Sequence, residues 1–99
     1  MPTFVFMKIL HHDDGKKGRF FIEADGSTAA EMTYVWAGPQ KIIIDHTEVD
    51  ERLKGMNAGK QLLAEAVAFA RKEHLKILPL CPFAAAQMNK TPEYQDVLF

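Results

Sequence analysis

The hydrophobic period of the chain changes at Gly59, and this change limits the folds that the sequence can adopt. The segment KIIIDHTEV (41–49) begins as a continuous aliphatic run, which is typical of an interior strand covered on both faces. Beyond Gly59, apolar residues recur with the spacing of an amphipathic helix over 59–74, and a short strand follows over 76–80. A strand, a helix and a strand in this order predict a βαβ unit, whose two strands must be parallel.

The first half of the sequence has the pattern of antiparallel strands separated by turns. The apolar runs are FVFMKIL, RFFIE and AAEMTYVW, and the pairs Asp14-Gly15 and Asp25-Gly26 supply turn residues between them. FAAAQMNK, after the last strand, predicts a short second helix. Because 99 residues contain neither a repeat nor a linker, we expect a single domain over 1–99. The predicted fold class is α/β (α+β), with a mixed sheet whose antiparallel N-terminal strands precede one parallel βαβ unit.

Composition narrows the cellular setting and the partners. A net charge of −1 gives no reason to expect nucleic acid or an anionic membrane as a partner. Cys81 is the only cysteine, so no disulfide can form within the chain and a reducing compartment is expected. The opening MPTFVFMKIL lacks the pattern of a secretory signal, and no apolar stretch is long enough to cross a membrane. We therefore expect a soluble cytoplasmic protein.

The segment LKGMNAGK (53–60) places two glycines, Gly55 and Gly59, at the start of the predicted helix. The free backbone amides and the positive dipole end of a helix N-terminus favour phosphate groups, and glycine lets the backbone approach them closely. Asn57 is one of the few non-glycine residues that adopts a left-handed conformation readily. The spacing matches neither the Walker motif nor the dinucleotide GxGxxG motif. On spacing alone, a phosphate site and a purely structural loop both remain open.

Two other polar features have both a chemical and a structural interpretation. HHDD (11–14) contains residue types that bind metals, but neighbours in a strand alternate between faces and Gly15 follows. A solvated hairpin turn is therefore favoured over a metal site, and we expect no metal. Tyr94 is a candidate general acid, although packing of a C-terminal turn is the favoured explanation for it.

The segments DHTEV, LKGMNAGKQL, ARKEHLKILPLCPF and PEYQDVL together resemble the small, single-domain GNAT N-acetyltransferases of the YjdJ-like type. The resemblance runs from about Gly18 to Leu98 and implies a GNAT-like fold with acetyl-CoA as cosubstrate. In that superfamily, a Gln/Arg-x-x-Gly-x-Gly/Ala turn at a helix start binds the acetyl-CoA pyrophosphate through backbone amides. Here Lys54 takes the Gln/Arg position, Asn57 the first motif glycine and Gly59 the last. Lys54 and Asn57 both depart from the pattern.

The resemblance also implies a set of residues that bind the cosubstrate. Strand 41–49 would diverge from the following strand and leave a slot for the pantetheine arm. The backbone around Glu48 and Val49 would bond this arm and polarise the thioester carbonyl, which is usually a large term in catalysis. The turn that binds the pyrophosphate would comprise Lys54, Gly55, Met56, Asn57, Ala58, Gly59 and Lys60.

His46 and Cys81 are the candidate catalytic residues. Each lies at the carboxyl end of one of the two parallel strands, so both are expected at the same edge of the sheet, and both match residues of the YjdJ-like pattern. A neutral imidazole could take a proton from an amine, or it could deprotonate the thiol and make it nucleophilic. The structural alternative is a packed histidine and a buried thiol, since free cysteine is commonly buried.

The leading functional hypothesis is an acetyl-CoA-dependent N-acetyltransferase that acts on a primary amine. The amine would attack the thioester directly, or after transfer of the acetyl group to Cys81. The alternative is a CoA-binding or protein-interaction module without turnover, which the small size and the two departures from the motif favour.

Overall fold

The computed structural model describes residues 7–99. Its five strands and two helices are β1 (Leu10–Asp13), β2 (Lys17–Ala24), β3 (Ser27–Trp36), β4 (Lys41–Val49), α1 (Ala58–Glu73), β5 (Lys76–Pro79) and α2 (Pro82–Lys90). Short 3₁₀ turns occupy Glu51–Leu53 and Pro92–Tyr94. No helix in this part of the chain is long and apolar enough to cross a membrane.

The five strands form one mixed sheet in chain order, from β1 to β5. The pairs β1–β2, β2–β3 and β3–β4 are antiparallel, whereas β4 and β5 are parallel and are joined through α1. The predicted fold class and the βαβ unit are confirmed. Helix α1 begins one residue before the predicted position, and it ends at Glu73 because His74 adopts a left-handed conformation with φ 57°.

The beginning of the chain differs from the sequence prediction. Residues 4–6 of the predicted strand FVFMKIL lie outside the described residues, and β1 begins only at Leu10. The prediction that HHDD forms a solvated turn was wrong for its first three residues, which belong to β1. The turn starts at Asp14, whose carboxylate accepts hydrogen bonds from the backbone amides of Lys16 and Lys17 at 2.9 Å each.

One face of the sheet is covered by both helices and forms the hydrophobic core. The α1 stripe predicted from the sequence is buried there against β2, β3 and β4; its members are Leu62, Leu63, Ala66, Val67 and Ala70. On β4, Ile42 and Ile44 are fully buried under the helices, but Ile43 between them is only half-buried. The prediction that β4 is covered on both faces was therefore wrong, because both described helices pack on the same side.

An aromatic cluster closes the core beneath the C-terminal half of α1. Its rings are those of His11, Phe20, Tyr34, Trp36 and Phe69. Together with the Asp13 carboxylate, which bonds two of them, we call them the aromatic end. The rings of His11 and Phe20 stack with centroids 4.2 Å apart. Such contacts add stability beyond the burial of apolar area.

Hydrogen bonds fix the polar atoms of the aromatic end. The Tyr34 hydroxyl donates to the Asp13 carboxylate and lies 2.6 Å from Nε2 of His11, while Nε1 of Trp36 donates to the same carboxylate at 2.8 Å. Burial and the bond to Asp13 raise the pKa of Tyr34 far above its ordinary value. The Tyr34 ring also covers Gly18 on the neighbouring strand so closely that a Cβ there would overlap it. No buried polar side-chain atom of the described residues is left without a hydrogen-bond partner.

Candidate functional site

The two parallel strands diverge halfway along β4. Pairing with β5 runs from Lys41 to Ile44 and stops there, where the Ile44 carbonyl accepts from the backbone amides of both Leu80 and Cys81. From His46 to Val49, β4 pairs only with β3 among the described residues, so its other edge is open. An open strand edge offers backbone donors and acceptors to a ligand.

A β-bulge at Asp45 changes which side chains face the helices. Ile44 pairs with Tyr34 and His46 pairs with Thr33, so Asp45 is an extra residue in β4. As a consequence, Thr47 points toward the helices, whereas His46 points to the opposite face of the sheet.

The chain then enters the segment Leu53–Lys60, which we call the glycine turn. Gly55 has φ +79°, and the Leu53 carbonyl accepts from the Met56 amide at 3.2 Å. Asn57 has φ 59° and ψ 29°, which is the left-handed conformation expected for it, and its side chain makes no capping bond. An asparagine can therefore hold the position at which glycine would be easiest.

The first amides of α1 are left without acceptors. No hydrogen bond from the backbone N–H of Ala58, Gly59 or Lys60 is made within residues 7–99, and the first intrahelical acceptor is the Asn57 carbonyl, bonded by Gln61 at 3.0 Å. The dipole of α1, a 16-residue helix, adds positive potential at this end. Together these features favour an anion at the glycine turn.

A groove of about 340 Å³ leads from the glycine turn toward the open edge of β4. It is lined by seven of the residues predicted to bind the cosubstrate: Val49, Lys54, Gly55, Asn57, Ala58, Gly59 and Lys60. Sequence reasoning missed three others, Thr47, Leu53 and Phe83. The apolar side chains among these residues suit an aliphatic chain, and the amides at one end suit a phosphate group.

The other predicted residues of this set lie differently. Glu48 and Met56 do not line the groove; the Glu48 side chain is exposed, and Met56 packs against the core. Lys54 is engaged, because its ammonium group is 2.8 Å from the carboxylate of Glu51. Lys60, which is exposed and lines the groove, is the better placed cation.

Gly59 is in close contact with another side chain of the protein. A Cβ at Gly59 would lie 2.8 Å from the tip of the Phe83 ring, so the first turn of α2 rests directly on the first turn of α1. The half-buried Phe83 ring forms one wall of the groove. Its position therefore sets the width of the groove.

The structure places Thr47, rather than His46, against Cys81. The Cys81 thiol is 4% exposed, lies 3.0 Å from the Thr47 hydroxyl and accepts from the Ala84 amide at 3.3 Å. His46 is on the other face, where its Nε2 is 3.4 Å from the Glu48 carboxylate and its side chain is 59% exposed. The two candidate catalytic residues thus flank the divergence of β4 and β5 from opposite faces.

Two minor candidates lie away from this site. Tyr94 sits in the second 3₁₀ turn and packs against the core, close to Arg71 in the last turns of α1. Asp13 and His11 belong to the aromatic end. Among residues 7–99, no group of three or more side chains is arranged to hold a metal ion.

A family model described as GCN5-related N-acetyl-transferase matches residues 19–97. The chain belongs to the GCN5-related N-acetyltransferase (GNAT) family. Members of this family are acyltransferases, and the mixed sheet with two helices described above is the GNAT fold.

Individual relatives agree with this assignment. A GCN5-like protein of Staphylococcus aureus, solved by NMR, is 36% identical, with a TM-score of 0.73 over 94% of this chain and 88% of that one. Protein NATD1 of Danio rerio is 30% identical over 83 residues, which are 83% of this chain and 76% of that protein. A GNAT family acetyltransferase from Elizabethkingia anophelis, solved with acetyl-CoA bound, is only 12% identical and shows the shared fold, with a TM-score of 0.61 over 74% of this chain and 63% of that one.

Proposed function

We propose that this GNAT protein uses acetyl-CoA to acetylate a primary amine. The observation that carries the proposal is the set of free amides at Ala58–Lys60, which open onto a groove that runs to the unpaired edge of β4. A diphosphate at the amides and an extended arm along β4 would satisfy both features at once. The single, unpaired thiol is consistent with a reducing compartment, and we propose the cytoplasm.

Each part of the groove has a distinct task in this proposal. The glycine turn holds the pyrophosphate, with Lys60 as a nearby cation. The backbone of Glu48 and Val49 bonds the pantetheine arm, which brings the thioester to the point where β4 and β5 diverge. There it lies near Thr47 and Cys81 on the helix-covered face.

We propose direct attack by the amine on the thioester carbonyl. The amine nitrogen bonds to the carbonyl carbon, the C–S bond breaks, CoA leaves as a thiolate, and the amine proton passes to a base. His46 is the proposed base because its imidazole is exposed beside the divergence, on the face from which an amine can approach. The buried Cys81 thiol contacts a hydroxyl and an amide rather than a base, so an acetyl-cysteine intermediate is the less favoured route.

Three measurements on the intact chain test the proposal. Acetyl-CoA should raise the melting temperature, since a ligand bound only by the folded state stabilises it. His46→Ala should lower the rate of acetyl transfer by about 10²–10⁴-fold, the usual range for a general base. His12→Ala, which removes an exposed histidine from β1, is the matched control and should keep the rate.

The outcomes separate the alternatives. Acetyl-CoA that does not stabilise the protein at millimolar concentration contradicts the proposal, and stabilisation without transfer to any amine indicates a binding module. A hydroxylamine-sensitive acetyl adduct on Cys81, formed as fast as turnover, would replace direct attack with the two-step route. Cys81→Ala should otherwise retain substantial activity.

A further inference from the structure

Two lysines are neighbours at the beginnings of the parallel strands. Lys41 is the first residue of β4, Lys76 is the first residue of β5, and the two pair in register. Side chains at paired positions share one face of a sheet, where like charges repel each other. Neither lysine forms a salt bridge with a carboxylate among residues 7–99. The pair therefore concentrates positive charge at this end of the sheet.

Both ammonium groups are held by partners that carry no charge. Lys76 donates a hydrogen bond to the backbone carbonyl of Asp96. The Lys41 ammonium lies over the Phe99 ring, 4.0 Å from its centroid, in a cation–π contact. The carboxylate of Asp96 is engaged elsewhere, because Arg71 donates to both of its oxygens at 3.0 and 2.9 Å. The contacts thus position the two ammonium groups without neutralising them.

A depression of about 440 Å³ is lined by both lysines. The other residues of its wall are mostly apolar or cationic: Ala37, Pro39, Gln40, His74 and Phe99. Sites for small organic molecules usually have this composition, in which apolar walls carry a few well-placed polar groups. Their volumes are also in this range, from about 300 to 1,000 Å³.

Phe99 supplies a flat apolar surface in this depression. Its side chain is exposed, with 64% of the residue accessible, although its backbone amide is bonded to the Ile77 carbonyl at 2.8 Å. Of the large hydrophobic residues in the described part of the chain, only Leu80 is comparably exposed. Because the Lys41 ammonium covers one face of the ring, a flat ligand would stack on the other face.

The charge of the lysine pair indicates the kind of anion. A phosphate monoester carries a charge of about −1.5 to −2 at pH 7, which matches two ammonium groups. The negative end of the α1 dipole, which lies at His74, is opposed by Arg71 and Lys72 in the last turn of the helix. An anion in the depression would also relieve the repulsion between Lys41 and Lys76.

We propose that this depression, the lysine pocket (Lys41, His74, Lys76 and Phe99), binds a phosphate ester that carries a flat ring. The phosphate lies between the ammonium groups of Lys41 and Lys76, and the ring stacks on Phe99. The lysine pocket is at the beginnings of β4 and β5, whereas the groove lies beside the end of β4, at Thr47 and Val49. The inference is therefore independent of the proposed acetyl transfer.

The test uses phenyl phosphate as the probe and the NMR amide signals of the isotope-labelled intact chain as the readout. We expect saturable shifts at Lys41, Lys76 and Phe99 with a Kd of about 1 mM, since so small a molecule makes few contacts. Inorganic phosphate lacks the ring and benzyl alcohol lacks the charge, so each should bind at least about fivefold more weakly. The amides of Ala58–Lys60 report separately on the groove.

Substitutions divide the binding between charge and ring. Lys41→Gln combined with Lys76→Gln should raise the Kd for phenyl phosphate by about tenfold or more. Phe99→Ser should raise it by about fivefold and leave the Kd for inorganic phosphate unchanged. The matched control is Lys16→Gln combined with Lys72→Gln, which removes two exposed lysines outside the lysine pocket and should keep the Kd.

The opposite results would overturn the inference. They are shifts confined to the amides of Ala58–Lys60, no saturation by about 20 mM phenyl phosphate, and a Kd that the substitutions of Lys41 and Lys76 leave unchanged. Binding of benzyl alcohol as tight as that of phenyl phosphate would also overturn it. So would a dimer in analytical ultracentrifugation that Phe99→Ser dissociates, because a second copy of the chain would then occupy the lysine pocket.

Discussion

The aromatic end and the glycine turn pack against different halves of α1 and differ in how completely their polar groups are satisfied. In the aromatic end, His11, Tyr34, Trp36 and Asp13 bond one another, and the rings fill the space between them. In the glycine turn, the amides of Ala58–Lys60 have no acceptor within the described chain. The difference separates a region whose polar groups are paired within the protein from one whose amides remain available to a ligand.

The largest expected effect is on stability, at the aromatic end. Gly18→Ala places a Cβ inside the Tyr34 ring, which is held by two hydrogen bonds and cannot move aside. We expect the free energy of unfolding to fall by about 3 kcal/mol, as for severe overpacking. Urea denaturation measures it, with the exposed Lys17→Ala as a control that should change it by less than about 0.5 kcal/mol. A fall of similar size in the control would contradict this account.

Removal of one hydroxyl from the same region should have a smaller effect. Tyr34→Phe leaves Asp13 and His11 without their shared partner, and we expect a loss of about 2 kcal/mol in the free energy of unfolding. Stabilisation by acetyl-CoA should be unchanged, because the groove contains none of these residues. Weaker binding of acetyl-CoA by this variant would show that the two regions are coupled.

A glycine-to-alanine substitution at the glycine turn should instead weaken ligand binding and leave stability almost unchanged. Gly59→Ala meets only the tip of the half-buried Phe83 ring, which can turn, and alanine is a better helix former by about 1 kcal/mol. We therefore expect little change in the free energy of unfolding. The displaced ring should alter the groove and weaken acetyl-CoA binding by about tenfold, as measured by calorimetry.

A second substitution sharpens this prediction. Phe83→Leu combined with Gly59→Ala should restore much of the affinity, because the smaller side chain leaves room for the new methyl group. Asn57→Gly should keep or improve the affinity, since glycine adopts the left-handed conformation with less strain. If Gly59→Ala binds acetyl-CoA as the original chain does, the groove is not the binding site.

The smallest effect concerns pH. Burial, opposed by Asp13 and Glu65, lowers the pKa of His11 below its ordinary value of 6.5. The unfolded chain therefore takes up a proton first, so the contribution of His11 to stability is present above pH 6.5 and is lost as the pH falls below it. His11→Gln should reduce the drop in melting temperature between pH 7.5 and 5, whereas His12→Gln should not. An unchanged drop in the first variant would refute this.

Much of the fold follows from local pattern in the sequence. Three local patterns predicted the elements that the structure has at those positions. They are the aliphatic run of β4, the helical stripe from Leu62 to Ala70 and the Asp25-Gly26 turn. The burial of only one face of β4 could not be predicted, because it depends on where both helices pack. The contact between Tyr34 and Gly18 could not be predicted either, since the two residues lie on different strands of the sheet.

The candidate site was predictable where it depends on backbone. Asn57 was predicted to tolerate a left-handed conformation, and the structure has it there, whereas the positive φ of Gly55 was not predicted. Thr47 and Phe83 were missed for two reasons: the bulge at Asp45 leaves no mark in the sequence, and Phe83 reaches the groove from a separate helix. The expectation that His46 and Cys81 lie close together rested on the family resemblance and on the strand ends. A strand end determines the edge of a sheet that a residue occupies, but not the face.

Trp36 is the only tryptophan in the chain, and its indole donates a hydrogen bond to Asp13 in the aromatic end. It pairs with Ile42 at the beginning of β4, whereas the groove lies beside the end of that strand, at Thr47 and Val49. The intrinsic fluorescence of this protein is therefore an optical reporter of one region. Its emission should shift when the sheet and α1 come apart and stay constant while a ligand fills the groove. A fluorescence titration alone would thus fail to register binding, whereas fluorescence-detected unfolding at increasing ligand concentration would reveal it as a displaced midpoint.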